Sequence, residues 1–121
     1  MDENNQAQAL ITKYVDEDTQ LKAVIVYNRK TGEAIASTLD DTETSKQIKI
    51  SQMAATMDEK ANKIDPSGNF RWDMVSFSRK IICCVRIHKD NYVDCLYNAS
   101  KAPSGAIEDA LEIALDVGEL L

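Results

Sequence analysis

Ile81-Ile82-Cys83-Cys84-Val85-Arg86-Ile87, His88-Lys89-Asp90-Asn91 and Tyr92-Val93-Asp94-Cys95-Leu96-Tyr97 form one continuous stretch, and its reading decides the fold. Two runs rich in Ile, Val, Cys and Tyr flank a short polar link, the pattern of an antiparallel hairpin. A turn centred on Lys89-Asp90 pairs positions whose numbers sum to 179. Cys84 then faces Cys95, Ile82 faces Tyr97 and Val85 faces Asp94. Paired side chains point to the same side of a sheet. In this register one face carries Ile82, Cys84, Val93, Cys95 and Tyr97. The other carries Ile81, Cys83, Val85, Ile87, Tyr92 and Leu96, and Arg86 and Asp94 fall on opposite faces. Both faces are apolar, so both require cover.

The rest of the chain supplies that cover. A helix is expected from about Asn5 to Asp16, with Ala7, Leu10, Ile11, Tyr14 and Val15 on one side. Two strands follow, Leu21–Tyr27 and Glu33–Thr38, joined by a loop in which Gly32 can take a positive φ. Asp40-Asp41-Thr42-Glu43-Thr44 opens a central helix, where Thr44 and Gln47 have capping-box spacing. Ile50, Met53, Ala54, Met57, Ala61 and Ile64 form its apolar stripe, and Ser51, Ala55 and Asp58 form a small, mildly polar opposite face. The helix ends near Asp65-Pro66-Ser67-Gly68-Asn69. A third strand, Trp72–Ser78, precedes the quoted hairpin, with Arg79-Lys80 as its turn. The last helix runs from Ala106 to Leu121, with Pro103 and Ser104 suited to its start.

The order is α-β-β-α-β-β-β-α. It predicts an α/β (α+β) three-layer sandwich around a five-stranded antiparallel sheet. The central helix covers one face and the two terminal helices the other. The 121 residues are read as one domain.

The totals restrict function. A net charge of −6 disfavours nucleic acid, because phosphate binding needs a basic face. The basic pairs Arg29-Lys30 and Arg79-Lys80 both read as solvated turns. No run approaches the roughly 20 apolar residues of a membrane span. Met1-Asp2-Glu3-Asn4-Asn5 is the reverse of a secretory leader. Three cysteines without a spaced framework agree with a cytoplasmic setting.

Chemistry-bearing motifs are sparse. There is no phosphate-cradling glycine loop. His88 falls in a turn without an orienting partner. Cys83 and Cys84 are adjacent on a strand and point to opposite faces, so they do not share a metal ion. They and Cys95 read as small core hydrophobes. The expected sets of catalytic, cofactor-binding and metal-binding residues are therefore empty, and an enzyme is not expected.

The chain resembles the Roadblock family, the dynein light-chain roadblock type. The residues that carry the likeness are Ala23-Val24-Ile25-Val26-Tyr27-Asn28, then Gly32-Glu33-Ala34-Ile35-Ala36-Ser37-Thr38-Leu39-Asp40-Asp41-Thr42. Ile64-Asp65-Pro66 and the turn Arg79-Lys80 add to it. The closing Gly105-Ala106-Ile107-Glu108-Asp109-Ala110-Leu111-Glu112 is closest in pattern to bacterial and archaeal members. The longer polar connection Asp65–Arg71 departs from the pattern.

The resemblance implies a non-enzymatic dimer that acts as a scaffold or regulator of a Ras-like small GTPase. A GTPase-activating partner of the bacterial polarity type is the finer alternative. It further implies that the third strand pairs with its symmetry mate while two central helices pack across the seam. The partner copy is either identical or a related Roadblock subunit. The candidate contact set is Ser51, Ala54, Ala55, Met57 and Asp58 on the central helix, with Trp72, Met74 and Ser76 on the third strand. Profilin, longin and PAS domains also wrap helices around five strands, which makes a ligand- or protein-binding module the second reading. PAS domains place several short helices where this chain has one long helix. Profilin-like phosphoinositide binding wants a basic face.

Overall fold

The computed structural model describes residues 3–66 and 72–121. The order is α1 (Glu3–Glu17), β1 (Leu21–Asn28), β2 (Ala34–Ser37), α2 (Asp41–Ile64), β3 (Trp72–Ser76), β4 (Lys80–His88), β5 (Asn91–Asn98) and α3 (Pro103–Leu120). The strands form one antiparallel sheet in the order β2-β1-β5-β4-β3. The most apolar hairpin therefore fills the middle of the sheet, and the shorter strands β2 and β3 lie at its edges.

Two cores back the sheet. Ala7 and Ile11 of α1 and Ala106, Ala110, Ile113, Ala114 and Val117 of α3 pack on Val24, Val26, Ile81, Cys83, Val85, Val93, Cys95 and Tyr97. On the other face Ile48 of α2 packs on Ala23, Ile25, Tyr27, Ile82, Cys84, Tyr92 and Leu96. This is the expected three-layer arrangement. The cysteines are free and buried, as small core residues.

The hairpin register is one residue away from the sequence expectation. His88 pairs with Asn91, as a turn at Lys89-Asp90 requires, but beyond it Arg86 pairs with Tyr92, Val85 with Val93, Cys84 with Asp94 and Cys83 with Cys95. A bulge between Arg86 and His88 inserts one extra residue into β4, and such a shift moves one strand's side chains to the other face relative to its partner. Lys89, at φ 51°, occupies the left-handed region in the turn beside it. Cys83, not Cys84, thus faces Cys95. Arg86 and Asp94 share the α2 side of the sheet rather than lying on opposite faces.

Helix α2 departs further. Its N-cap is Asp40, whose Oδ1 accepts from the backbone N–H of Glu43 at 2.8 Å, and Thr44 instead meets the Ser37 hydroxyl at 2.7 Å. Asp40→Ala is expected to lower stability by about 1 kcal/mol, read by urea unfolding. Most of the predicted core stripe faces outward: Met53 and Met57 are each 72% exposed, Ile64 is 88% exposed and Ala61 is exposed, while Ala54 is half-buried and Ile50 packs against the core on that side of the sheet. The inward residues are Thr44, Gln47, Ile48 and Ser51. Small and polar residues at helical spacing thus face the sheet, where the apolar stripe was expected.

Smaller differences concern ends. Strand β3 stops at Ser76, and β2 spans Ala34–Ser37 only. Helix α3 begins at Pro103, and its N-cap, Ala102, makes no side-chain capping bond, so Ser104 does not serve as the cap. The polar stretch Ser67-Gly68-Asn69 and Arg71 lies outside the described residues. Gly32 sits at φ +78°, with Gln52 Nε2 3.1 Å from where a Cβ would stand. Gly32→Ala is expected to cost about 1–2 kcal/mol in chemical denaturation, from left-handed strain alone.

Candidate functional site

The two edges of the sheet are treated differently. At β2, the Gln8 side chain from α1 donates Nε2–H to the Ser37 carbonyl at 2.8 Å and accepts the Ser37 N–H through Oε1 at 3.0 Å. One amide side chain thereby copies a neighbouring strand at Ser37 and caps that end of the edge. Strand β3 pairs with β4 from Trp72↔Val85 to Ser76↔Ile81, and no described residue pairs with its outer side. Trp72 and, just beyond the strand, Phe77 are exposed.

Helix α2 carries a second uncovered surface. Met53, Met57, Ala61 and Ile64 recur at helical spacing on one side, all exposed. From Thr56 to Ile64 every described side chain is exposed, around the whole circumference of the helix. The described residues of the chain itself thus leave this apolar stripe uncovered.

The predicted contact residues divide between two sides of the sheet. Trp72, Met74 and Ser76 pair with Val85, Cys83 and Ile81, so they lie on the α1/α3 side. Met74 is half-buried against that core, and Ser76 is exposed. Met57 is exposed and Ala54 and Ala55 are half-buried on α2, across the sheet from them. The side chain of Asp58 falls outside those described. Ser51 faces inward, 1% exposed, and is spoken for within the protomer.

Beneath α2 lies a polar cluster. Asp94, on the middle strand, is fully buried and accepts hydrogen bonds from the Ser51 hydroxyl and, at 2.9 Å, from the Tyr27 hydroxyl. Ser51 Oγ is 3.6 Å from Cys84 Sγ. Asp73 stands across from Cys84 in the β3–β4 pairing, and both its carboxylate oxygens are buried. The Arg29 guanidinium lies 3.9 Å from the centre of the Tyr92 ring, and the Arg29 carbonyl accepts from Gln52 Nε2 of α2 at 2.9 Å. Arg29 is buried, not part of a solvated turn.

Burial pushes the Asp94 carboxyl up to about 6, against the opposing pull of its bonds from Ser51, Cys84 and Tyr27 and of the Arg29 charge. Burial, reinforced by the Asp94 charge, raises the Tyr27 hydroxyl and the Cys84 thiol well above their usual range. Cys83 rises to about 12 for the same reasons. Thiols held so firmly protonated are poor nucleophiles. Hydrogen bonding that seats α2 is the chemistry these groups can perform.

Sequence reasoning passed over Gln8 and Asp73 and placed Arg29 in a solvated turn. Asp94 was visible as a carboxylate inside an apolar run. Its neighbour Cys84 was hidden by the bulge, which no local pattern announces, and its partner Ser51 by the orientation of α2. Arg29 carries no signal in sequence, because its burial depends on a ring on a distant strand.

This three-layer fold is shared with solved Roadblock/LC7 domains. A Roadblock/LC7 domain from Streptomyces avermitilis superposes with a TM-score of 0.78 at 10% identity, covering 91% of this chain and 92% of its own. An MglB whose structure is described as having a tetrameric arrangement gives 0.78 at 11% identity, over 98% and 89% of the two chains. A Schizosaccharomyces pombe profilin is more distant, at 0.56 and 15% identity over 88% and 92%. No family model matches the sequence, and no curated protein matches it significantly. The likeness is one of fold.

Proposed function

We propose that the protein is a non-enzymatic, dimeric, cytoplasmic platform that binds and regulates a Ras-like small GTPase. The observation that carries the reading is the pairing of an open β3 edge with an uncovered α2 stripe, while the opposite edge is capped at Ser37 by Gln8. A second copy fits both surfaces. Two β3 edges related by a two-fold axis continue the sheet through main-chain hydrogen bonds, and an isologous seam brings the same helix from each copy together. Met53 and Met57, with the half-buried Ala54 and Ala55 beside them, then form the helix contact. Trp72, Met74 and Ser76 form the contact on the far side of the sheet. Ser51 acts from beneath, by holding the helix in place.

The GTPase is proposed from the fold shared with Roadblock/LC7 and MglB structures, together with the family resemblance of the residues quoted above. An acidic protein of charge −6 is complementary to a basic patch on such a partner and speeds encounter with it. Among the described residues no helix is long and apolar enough to cross a membrane.

The test is binding to purified Ras-like GTPases of the source organism, each loaded in parallel with GDP and with a GTP analogue, followed by the GTP hydrolysis rate. Saturable binding to one of them at micromolar concentration is expected. Preference for the GTP form with faster hydrolysis marks an activating partner, and equal binding with an unchanged rate marks a scaffold. No binding to any of them contradicts the proposal.

A further inference from the structure

The two helical layers are attached to the sheet by different means. Helix α3 buries five apolar side chains, Ala106, Ala110, Ile113, Ala114 and Val117. Among the described side chains of α2, Ile48 is the one buried apolar residue, and Thr44, Gln47 and Ser51 are the buried polar ones. Beside the packing of Ile48 and the half-buried Ile50, its anchors are hydrogen bonds: Thr44 to the Ser37 hydroxyl, Gln52 to the Arg29 carbonyl and Ser51 to Asp94. The last of these sits at the middle of the sheet and is the one anchor that ends on a fully buried ionisable group.

We infer that Asp94 is the positioning residue of α2, and that proton uptake at its carboxylate tightens the seat of the helix on the sheet. The physical reason is the difference between the seated and lifted states. With α2 seated, a charged Asp94 is cut off from water and faces only hydroxyl, thiol and guanidinium donors. With α2 lifted, water reaches the carboxylate and favours its charge. A neutral Asp94 removes that incentive to lift.

The groups that face Asp94 set the balance. Tyr27 comes from β1 and Arg29 from the turn after it, Cys84 from β4 and Ser51 from α2. Asp73 on β3 acts on the same Cys84 thiol. Cys83 and Cys95 feel the Asp94 charge from the opposite face. The Cys84, Cys83 and Cys95 thiols and the Tyr27 phenol stay protonated, while the charge of Asp94 changes in mild acid. Its carboxyl, pushed up to about 6 by burial, places that change just below neutral pH. Because Met53 and Met57 ride on α2, self-pairing inherits the dependence; this second step rests on the dimer proposed above.

Amide hydrogen exchange of the full chain, corrected for intrinsic rates, tests it. Protection across α2 is expected to rise about tenfold from about pH 7.5 to about pH 5, with α3 as the unchanged reference. Asp94→Asn is expected to abolish the shift. Ser51→Ala keeps the carboxylate but removes a bond that favours its charge, so it is expected to move the midpoint to higher pH. Equal behaviour of α2 and α3, or a shift that survives in Asp94→Asn, or a midpoint unmoved in Ser51→Ala, overturns the proposal. Mass measured at the same two pH values separates the second step. A tighter dimer in acid supports it. A monomer at both values, with the α2 shift present, overturns the dimer and leaves the role of Asp94 standing.

Discussion

Met57→Glu is expected to turn a dimer into a monomer of 13.5 kDa at micromolar concentration. Met57 is 72% exposed in the protomer, so the substitution touches no core and leaves the fold intact. In a two-fold seam each change is made twice. Two Met side chains lose their burial, worth about 1.5–3 kcal/mol each, and two carboxylates are brought together out of water. A loss of at least about 3 kcal/mol weakens association more than 100-fold. Leu115→Glu is the matched control, since Leu115 is about as exposed but lies on α3, across the sheet. It is expected to leave the mass unchanged. Sedimentation of both variants reads the result. Dissociation by Leu115→Glu and not by Met57→Glu would move the seam to the other face.

Asp94→Ala is expected to destabilise the protein by about 3 kcal/mol near pH 5, and by less above pH 7. The hydroxyls of Ser51 and Tyr27 lose their buried acceptor, at about 1–3 kcal/mol for each group left unsatisfied. The pH dependence follows from the raised carboxyl. Its folded value, about 6, exceeds the ordinary value of 3.8, so the native state holds the proton more tightly than the unfolded chain. Stability contributed by Asp94 is full below the unfolded value and falls as pH rises from about 4 through about 6, by roughly 3 kcal/mol in all. Above that range the wild-type protein already carries the penalty of a buried charge, and removing the side chain relieves it. Urea unfolding at about pH 5 and about pH 7.5, at one fixed protomer concentration, compares the two. A larger loss at the higher pH would contradict the assignment of Asp94 as a buried, proton-binding group.

The layers of the fold were legible because they rest on robust patterns. Largely apolar runs in β4 and β5 and three-to-four apolar repeats in α1 and α3 are long, and burial largely follows them. Helix α2 was legible as a helix but not in its orientation. Its strongest apolar stripe, Met53-Met57-Ile64, is exposed, and its weakly polar face is the buried one. An apolar stripe turns a helix toward apolar cover. It does not say whether the cover is the chain's own sheet or another molecule, and that ambiguity is what a contact helix looks like in sequence. The register failed for a different reason. One bulged residue between Arg86 and His88 preserves every composition signal while moving Asp94 from beside Val85 to beside Cys84. The bulge hid the Asp94–Cys84 neighbourhood, while the bonds from Ser51 and Tyr27 depended on the orientation of α2 and the β1–β5 register.

In the proposed dimer, the open β3 edge would join two protomers into one continuous sheet. Light scattering of the wild-type protein at micromolar concentration tests it most directly. The expected mass is twice the chain's 13.5 kDa. A homogeneous species at 13.5 kDa, across the micromolar range and in mild acid as well as at neutral pH, would contradict it.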